Sequence, residues 1–252
     1  MTPMKLAPIA VALSLALSVA SAQEAPAEVP PAIDGASIQA LKDMGRFLQT
    51  LDRFRVSTEL TGERVLADGQ KLQHMASAVL EAERPDKLRA HMSSARSERE
   101  IIYNGETATI NLPAQKYYSS VDFSGPLPAF IAKLEERYGI EMPLADLFTW
   151  GTPAAPINKI DSAMNAGQDF VDGDLCDHYA YRQGKFDWQL WISASGKPLP
   201  RKIVITNRTD EERPQSVSVI SWNLKPKFNQ STFRFAPPKG SKAVELHALE
   251  KK

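Results

Sequence analysis

Hydrophobic positions change their spacing several times along the chain, and each change marks an element. Leu6–Ala20 is an unbroken run of apolar and small residues, preceded by a single charge at Lys5. From Ile38 the spacing becomes helical. Ile38, Leu41, Met44, Phe47, Leu48 and Leu51 recur at steps of three and four and form one apolar stripe, with Asp34 or Ser37 placed to cap its start. At Arg53 the period drops to two. Phe54, Val56, Thr58 and Leu60 alternate with Arg53, Arg55, Ser57 and Glu59, the pattern of a half-buried strand. Ala67-Asp68-Gly69 turns the chain into a second strand, Lys71–Glu81. Lys87–Ser93, Glu98–Tyr103, Thr107–Leu112 (across the hairpin signal Asn104-Gly105) and Tyr117–Phe123 follow. Short strands joined by tight turns predict an antiparallel meander.

Alternation stops at Ser124-Gly125-Pro126. Leu127, Phe130, Ile131, Leu134 and Tyr138 share one helical face, Lys133, Glu135, Glu136 and Arg137 lie largely on the other, and Gly139 ends the helix. A short helix follows Pro143 with Leu144, Leu147, Phe148 and Trp150 as its apolar residues; Pro156–Met164 has no legible period. Strands return at Leu175–Arg182, Asp187–Ile192, Arg201–Asn207, Ser216–Leu224 and Thr232–Phe235, separated by Gly and Pro turns. The expected fold is α+β: a curved, half-open antiparallel sheet of about eleven strands, covered by an N-terminal helix and a central helical insert. No repeat or long linker interrupts it, so residues 34–240 form a single domain, and Ser241–Lys252 reads as a frayed, charged tail.

Composition narrows the function. The 252 residues carry 30 basic and 30 acidic side chains, a balance that excludes a nucleic-acid binder or a polybasic membrane-surface module. Hydrophobic content of 43% with 24% charge excludes wholesale disorder. One cysteine, Cys176, excludes a disulfide framework and a cysteine zinc cluster. The N-terminal apolar run falls short of the roughly 20 residues needed to span a bilayer. Followed by Ala20-Ser21-Ala22, it reads as a secretory signal peptide, Met1–Ala22, with a flexible Pro-rich leader, Gln23–Ile33. The mature protein is expected to be soluble outside the cytoplasm.

Five segments carry a resemblance. DGQKLQ at Asp68–Gln73, ERYGIEMPLADLF at Glu136–Phe148, VDGDLCDHYAYRQGKFDWQLWI at Val171–Ile192, PLPRKIVIT at Pro198–Thr206 and SWNLKPKFNQSTFRFAPPKG at Ser221–Gly240 are similar to the predicted periplasmic proteins of domain of unknown function 2092. That family resembles the LolA/LolB-like superfamily of lipoprotein carriers. The resemblance implies a periplasmic location, a LolA-like unclosed barrel wrapped over helices, and an apolar cavity for lipid chains. It supplies a ligand class by analogy of fold and no established activity.

Candidate cavity-lining residues are Phe54, Val56, Leu60, Leu127, Phe130, Ile131, Leu134, Leu147, Phe148, Trp150, Trp188 and Leu190, on strands and covering helices; the competing reading of each is plain core. The insert Leu127–Trp150 would act as a lid hinged near Gly125, Gly139 and Gly151. Cys176 and His178 share one strand face and suggest a nucleophile or half a metal site, but a buried Cys beside a locally bonded His is the favoured reading. Glu135, Glu136, Glu141 and Asp146 read as a solvated helix face. No catalytic motif, cofactor or metal site is found. The expected function is non-enzymatic binding of a hydrophobic small molecule or lipid acyl chain, as in a lipid or lipoprotein carrier. The alternative is an envelope interaction or sensing module with a lipoprotein or protein partner, and a hydrolase ranks last.

Overall fold

Asp34 decides where the first helix starts. In the computed structural model, which describes residues 32–249, its carboxylate accepts the backbone N–H groups of Ala36 and Ser37 at 3.2 and 2.9 Å and opens α1, Gly35–Gln49. Asp34, not Ser37, is therefore the cap. The proposed signal peptide, and the leader up to residue 31, lie outside the described residues. Twelve strands follow. The first six are β1 (Arg53–Val65), β2 (Lys71–Glu83), β3 (Lys87–Ser93), β4 (Glu98–Tyr103), β5 (Thr107–Leu112) and β6 (Tyr117–Asp122). The insert holds α2 (Leu127–Tyr138) and α3 (Asp146–Thr149). The second set is β7 (Ser162–Val171), β8 (Asp174–Gln183), β9 (Phe186–Ser193), β10 (Pro200–Asn207), β11 (Gln215–Asn223) and β12 (Lys242–Ala243).

All twelve strands form one sheet in the order β12-β6-β5-β4-β3-β2-β1-β11-β10-β9-β8-β7. Two meanders are joined where β1 pairs with β11, and the sheet has two ends, so it does not close. Among the strands of the described residues only β12 runs parallel to its neighbour, and a parallel bridge joins Ile33 to Ala163. Period-two alternation places Phe54, Val56, Leu80, Leu88, Ile101, Tyr103, Tyr181, Leu190, Ile203 and Ile220 on one face, where α1, α2 and α3 cover them in a single core. On the opposite face, cross-strand pairs Arg53–Glu83, Arg55–Glu81 and Arg89–Glu100 line up between strands. Such half-exposed pairs contribute about 0–1 kcal/mol each, so their main effect is on register.

Three expectations change. An extra strand, β7, begins inside the segment without legible period and runs on past Met164 to Val171; it is an edge strand exposed along most of its length, which leaves no buried face to imprint a period. Thr232–Phe235 is not a strand. It is part of a turn-rich segment lying against the outer face of the first meander, with Phe235 on Tyr118 (5.0 Å between centroids) and the Thr232 carbonyl accepting from Arg89 at 3.2 Å. The tail expected to fray is held by backbone hydrogen bonds. Val244 N–H donates to the Tyr118 carbonyl at 2.8 Å and Leu249 N–H to the Arg137 carbonyl at 2.8 Å. Main-chain bonds of that kind leave no mark in side-chain pattern.

The helices are fastened to the sheet by specific polar contacts. Tyr103 stacks on Phe130 at 4.2 Å and donates its hydroxyl to the Gly125 carbonyl at 2.6 Å, which fixes the entry into α2. Gly139, at φ +64°, caps the other end of α2 in the left-handed conformation. Arg99 donates to the Glu141 carbonyl at 2.6 Å. Tyr181 donates to the Ser37 carbonyl at 3.0 Å, and burial pushes its phenol pKa far up. Where α1 meets the end of the insert, backbone touches backbone: a Cβ on Gly45 would stand 2.5 Å from the Gly151 nitrogen.

That contact reverses an ordinary expectation. Replacing a mid-helix Gly by Ala normally gains about 1 kcal/mol of helix propensity. Here the added methyl meets backbone that cannot turn away, and overpacking costs about 1–3 kcal/mol. Gly45→Ala is expected to lower the urea midpoint with an unchanged slope; a raised midpoint contradicts the contact.

Candidate functional site

The residues expected to line a cavity divide into two groups. Phe54, Val56, Leu127, Phe130, Ile131, Leu134, Leu147, Phe148 and Leu190 all lie within the packed core under the helices. Leu60 is half-buried and borders a shallow groove with Gly62, Met75, Ala76 and Arg96 near the end of β1. Only Trp150 and Trp188 meet at an open concavity, a pocket of about 500 Å³.

This pocket forms where α3, a single turn, leaves the inner face of β8–β10 incompletely covered. Its floor is Trp188 on β9 and Ile203 and Ile205 on β10, with Ile205 directly opposite Trp188 in the ladder. Trp188 is backed by Tyr181, stacked at 4.1 Å. Its walls are Asp146 and Thr149 of α3, Trp150, Pro156, and Gln183 and Phe186 at the β8–β9 turn. Gln49 of α1 donates to the Trp150 carbonyl at 2.6 Å, and the Trp150 and Trp188 rings lie within 23° of parallel, centroids 6.4 Å apart. Gln183 donates to the Pro156 carbonyl at 3.1 Å, tying the rim loop down. Ile203 and Ile205 were legible as strand residues, and Asp146 was legible only as a member of an acidic cluster; Pro156, in the irregular segment after α3, and Gln183, at the end of β8, gave no sequence signal.

Asp146 sets the pocket's electrostatics. It is solvent-exposed and lines a pocket whose other lining is largely apolar. Desolvation raises its carboxyl above the ordinary carboxylate value, and the charge of Glu135 adds to the rise. Glu135, Glu136, Glu141 and Asp146 are all exposed, as expected of a solvated face, and Asp146 alone of them lines the pocket. A second concavity, about 530 Å³, lies on the outer face among Arg53, Glu83, Lys87, Asn104, Phe228 and Arg234. Its Arg53 and Lys87 already pair with Glu83 at 2.7 and 2.9 Å, and its polar walls suit an apolar ligand poorly.

The insert is not built as a free lid. Tyr103 holds its start and Arg99 its middle, while Gly151, the third expected hinge, is wedged against Gly45. Cys176 and His178 do share the outer face of β8, but each has other partners. Cys176 is fully buried with Val171, Trp191 and Val204, and burial raises its thiol pKa, opposed by Arg201. His178 stacks on Trp191 at 4.0 Å and meets Gln189 at 2.9 Å.

The sequence profile of the predicted periplasmic proteins DUF2092 matches residues 37–247. The chain belongs to this family. The family places this DUF2092 protein in the periplasm, and among the described residues no helix is long and apolar enough to cross a membrane. Among solved structures, the Mycobacterium tuberculosis lipoprotein LppX is 11% identical, with 78% of this chain and 100% of that one covered and a TM-score of 0.50. LprF from Mycobacterium bovis is 14% identical over 84% of this chain and 100% of that one, TM-score 0.47. A LolA superfamily protein from Nitrosomonas europaea is 10% identical over 79% and 97%, TM-score 0.38. No curated protein matches the chain. The unclosed, mostly antiparallel sheet covered by helices is the architecture that the sequence resemblance implied.

Two measurements check this site. Because the Asp146 carboxyl has a raised pKa in the folded state, its ionisation opposes folding above that pKa, and the opposition fades as pH falls through it towards the ordinary value. Asp146→Asn is expected to raise the melting temperature at neutral pH, with the gain vanishing in acid; a gain that persists or grows in acid contradicts the assignment. Cys176 is expected to react slowly with a thiol reagent in the native protein and rapidly in urea. Fast native labelling would show an accessible, activated thiol.

Proposed function

We propose that this periplasmic protein is a non-enzymatic binder of hydrophobic molecules, with the pocket between α3 and the β8–β10 face as its site. The mature chain would begin after a signal peptide at Met1–Ala22, leaving one ligand-binding domain over residues 34–240. The observation that carries the reading is the pocket wall itself: Trp150, Phe186, Trp188, Ile203 and Ile205 surround about 500 Å³ beside a core that is otherwise filled. That volume is within the range of small-molecule sites. Burying a ten-carbon chain contributes on the order of 8 kcal/mol before the cost of immobilisation, so an acyl-sized ligand is held without any catalytic group.

Native mass spectrometry of protein isolated from the periplasm without detergent is expected to show a bound species lost on denaturation. The purified protein is expected to take up a neutral hydrophobic dye. Phe186→Ala removes an exposed pocket wall and should weaken that uptake about five- to tenfold with little change in melting temperature. Consistently empty protein that takes up no dye overturns the proposal. A second reading, contact with an envelope partner, is favoured by the free edge of β7, where Met164 and Phe170 are exposed.

A further inference from the structure

The pocket has an electrostatic character that a simple acyl-chain site does not need. Its one ionisable lining group is Asp146, and no Lys, Arg or His lines it among the described residues. The contacts found for Asp146 include no cation and no hydrogen-bond donor to its carboxylate; Glu135 nearby adds a second negative charge. Facing the same space are the rings of Trp150, Phe186 and Trp188, whose π faces carry negative charge density. The Trp150 and Trp188 rings stand close to parallel at the pocket, and Tyr181 backs Trp188 so that its outer face is fixed.

Every one of these features acts in the same sense on a charged ligand. Aromatic faces attract cations and repel anions. A carboxylate against apolar walls gains more from a cation than it would in water, because the local dielectric is lower. A fatty-acid carboxylate in the same place would be repelled by Asp146 and Glu135. The aliphatic floor of Ile203 and Ile205 meanwhile offers contact only to a hydrocarbon body.

We infer that the pocket selects apolar molecules bearing an ammonium group, with the cation held between the Asp146 carboxylate and the tryptophan faces and the hydrocarbon laid over Ile203 and Ile205. The inference rests on this pocket being the ligand site and adds the charge class of the ligand. Asp146 is then the residue that sets specificity. The recognised chemistry, an alkylammonium, is shared by free amines and by the headgroups of zwitterionic lipids.

Isothermal titration calorimetry of the mature protein with four monomeric ten-carbon ligands tests it: decyltrimethylammonium, decanol, decanoate and decylphosphocholine. Decyltrimethylammonium is expected to bind about tenfold more tightly than decanol, with decanoate the weakest. Asp146→Asn is expected to bring the cation down to the affinity of the alcohol and leave the alcohol unchanged, which also shows that the variant is folded. Phe186→Ala should weaken all ligands alike. Decylphosphocholine binding as tightly as the simple cation assigns the lipid headgroup as the source, and weaker binding assigns a free amine; both keep the ammonium chemistry. Decanol or decanoate binding as well as the cation, or a cation preference that survives Asp146→Asn, overturns the inference and leaves the hydrophobic site standing. Binding of none of the four overturns the site itself.

Discussion

The pairing of β1 with β11 is the constraint on which the rest depends. From Arg55 opposite Asn223 to Gly62 opposite Ser216, it stitches two meanders that are otherwise separate hairpin stacks. Without it neither meander has a surface large enough to cover three helices. With it, Phe54 and Val56 of one half meet Ile220 and Leu190 of the other in one core. The cost of closing so long a loop is offset by the continuous apolar face that results. Residues more than 150 positions apart therefore share one ladder, and the helices rest on the face it makes continuous.

Once that face exists, helix cover decides where a ligand can go. α1 and α2 lay their apolar stripes on the inner face, where their buried residues join the core of the sheet. α3 is a single turn and cannot cover the end of β8–β10. The gap is thus set by helix length, and its walls are the same aromatic and β-branched residues that elsewhere form core. Just beyond α3, Gly151 packs backbone to backbone on Gly45 of α1, which leaves no room there for a side chain. A filled core and an open pocket coexist because they sit under different helices.

Much of this was legible in the sequence, for reasons that can be named. Phe54, Val56 and Leu60 alternate because β1 has one wet face, and Leu127, Phe130, Ile131 and Leu134 recur because α2 has one dry stripe. Hairpin turns such as Asn104-Gly105 announced their strands. β7 was not legible, since its exposed edge carries no alternation. β12 was not, since two residues held by backbone bonds to β6 need no particular side chains. In the site, Trp150 and Trp188 could be picked from composition and position and Asp146 only as one of an acidic cluster, whereas Pro156 and Gln183 could not be picked. The contact of Pro156 with Gln183 depends on how the irregular segment between Gly151 and Ile160 is threaded, and periodicity is silent about threading. The same limit explains why core residues stood among the expected pocket walls: both are apolar, and only three-dimensional cover separates them.

The last strand has a consequence for how copies of this molecule can meet. An unclosed sheet presents two rims of unpaired backbone, and head-to-tail growth into a filament needs both. Here β12, parallel to β6 over Tyr117 and Tyr118, blunts one rim with the protein's own C-terminal segment. Among the described residues the β7 rim stays bare, apart from the bridge between Ile33 and Ala163. The two rims are therefore unequal: strand-to-strand contact between copies finds its longer run of unpaired backbone along β7, while β12 takes up part of the rim at β6.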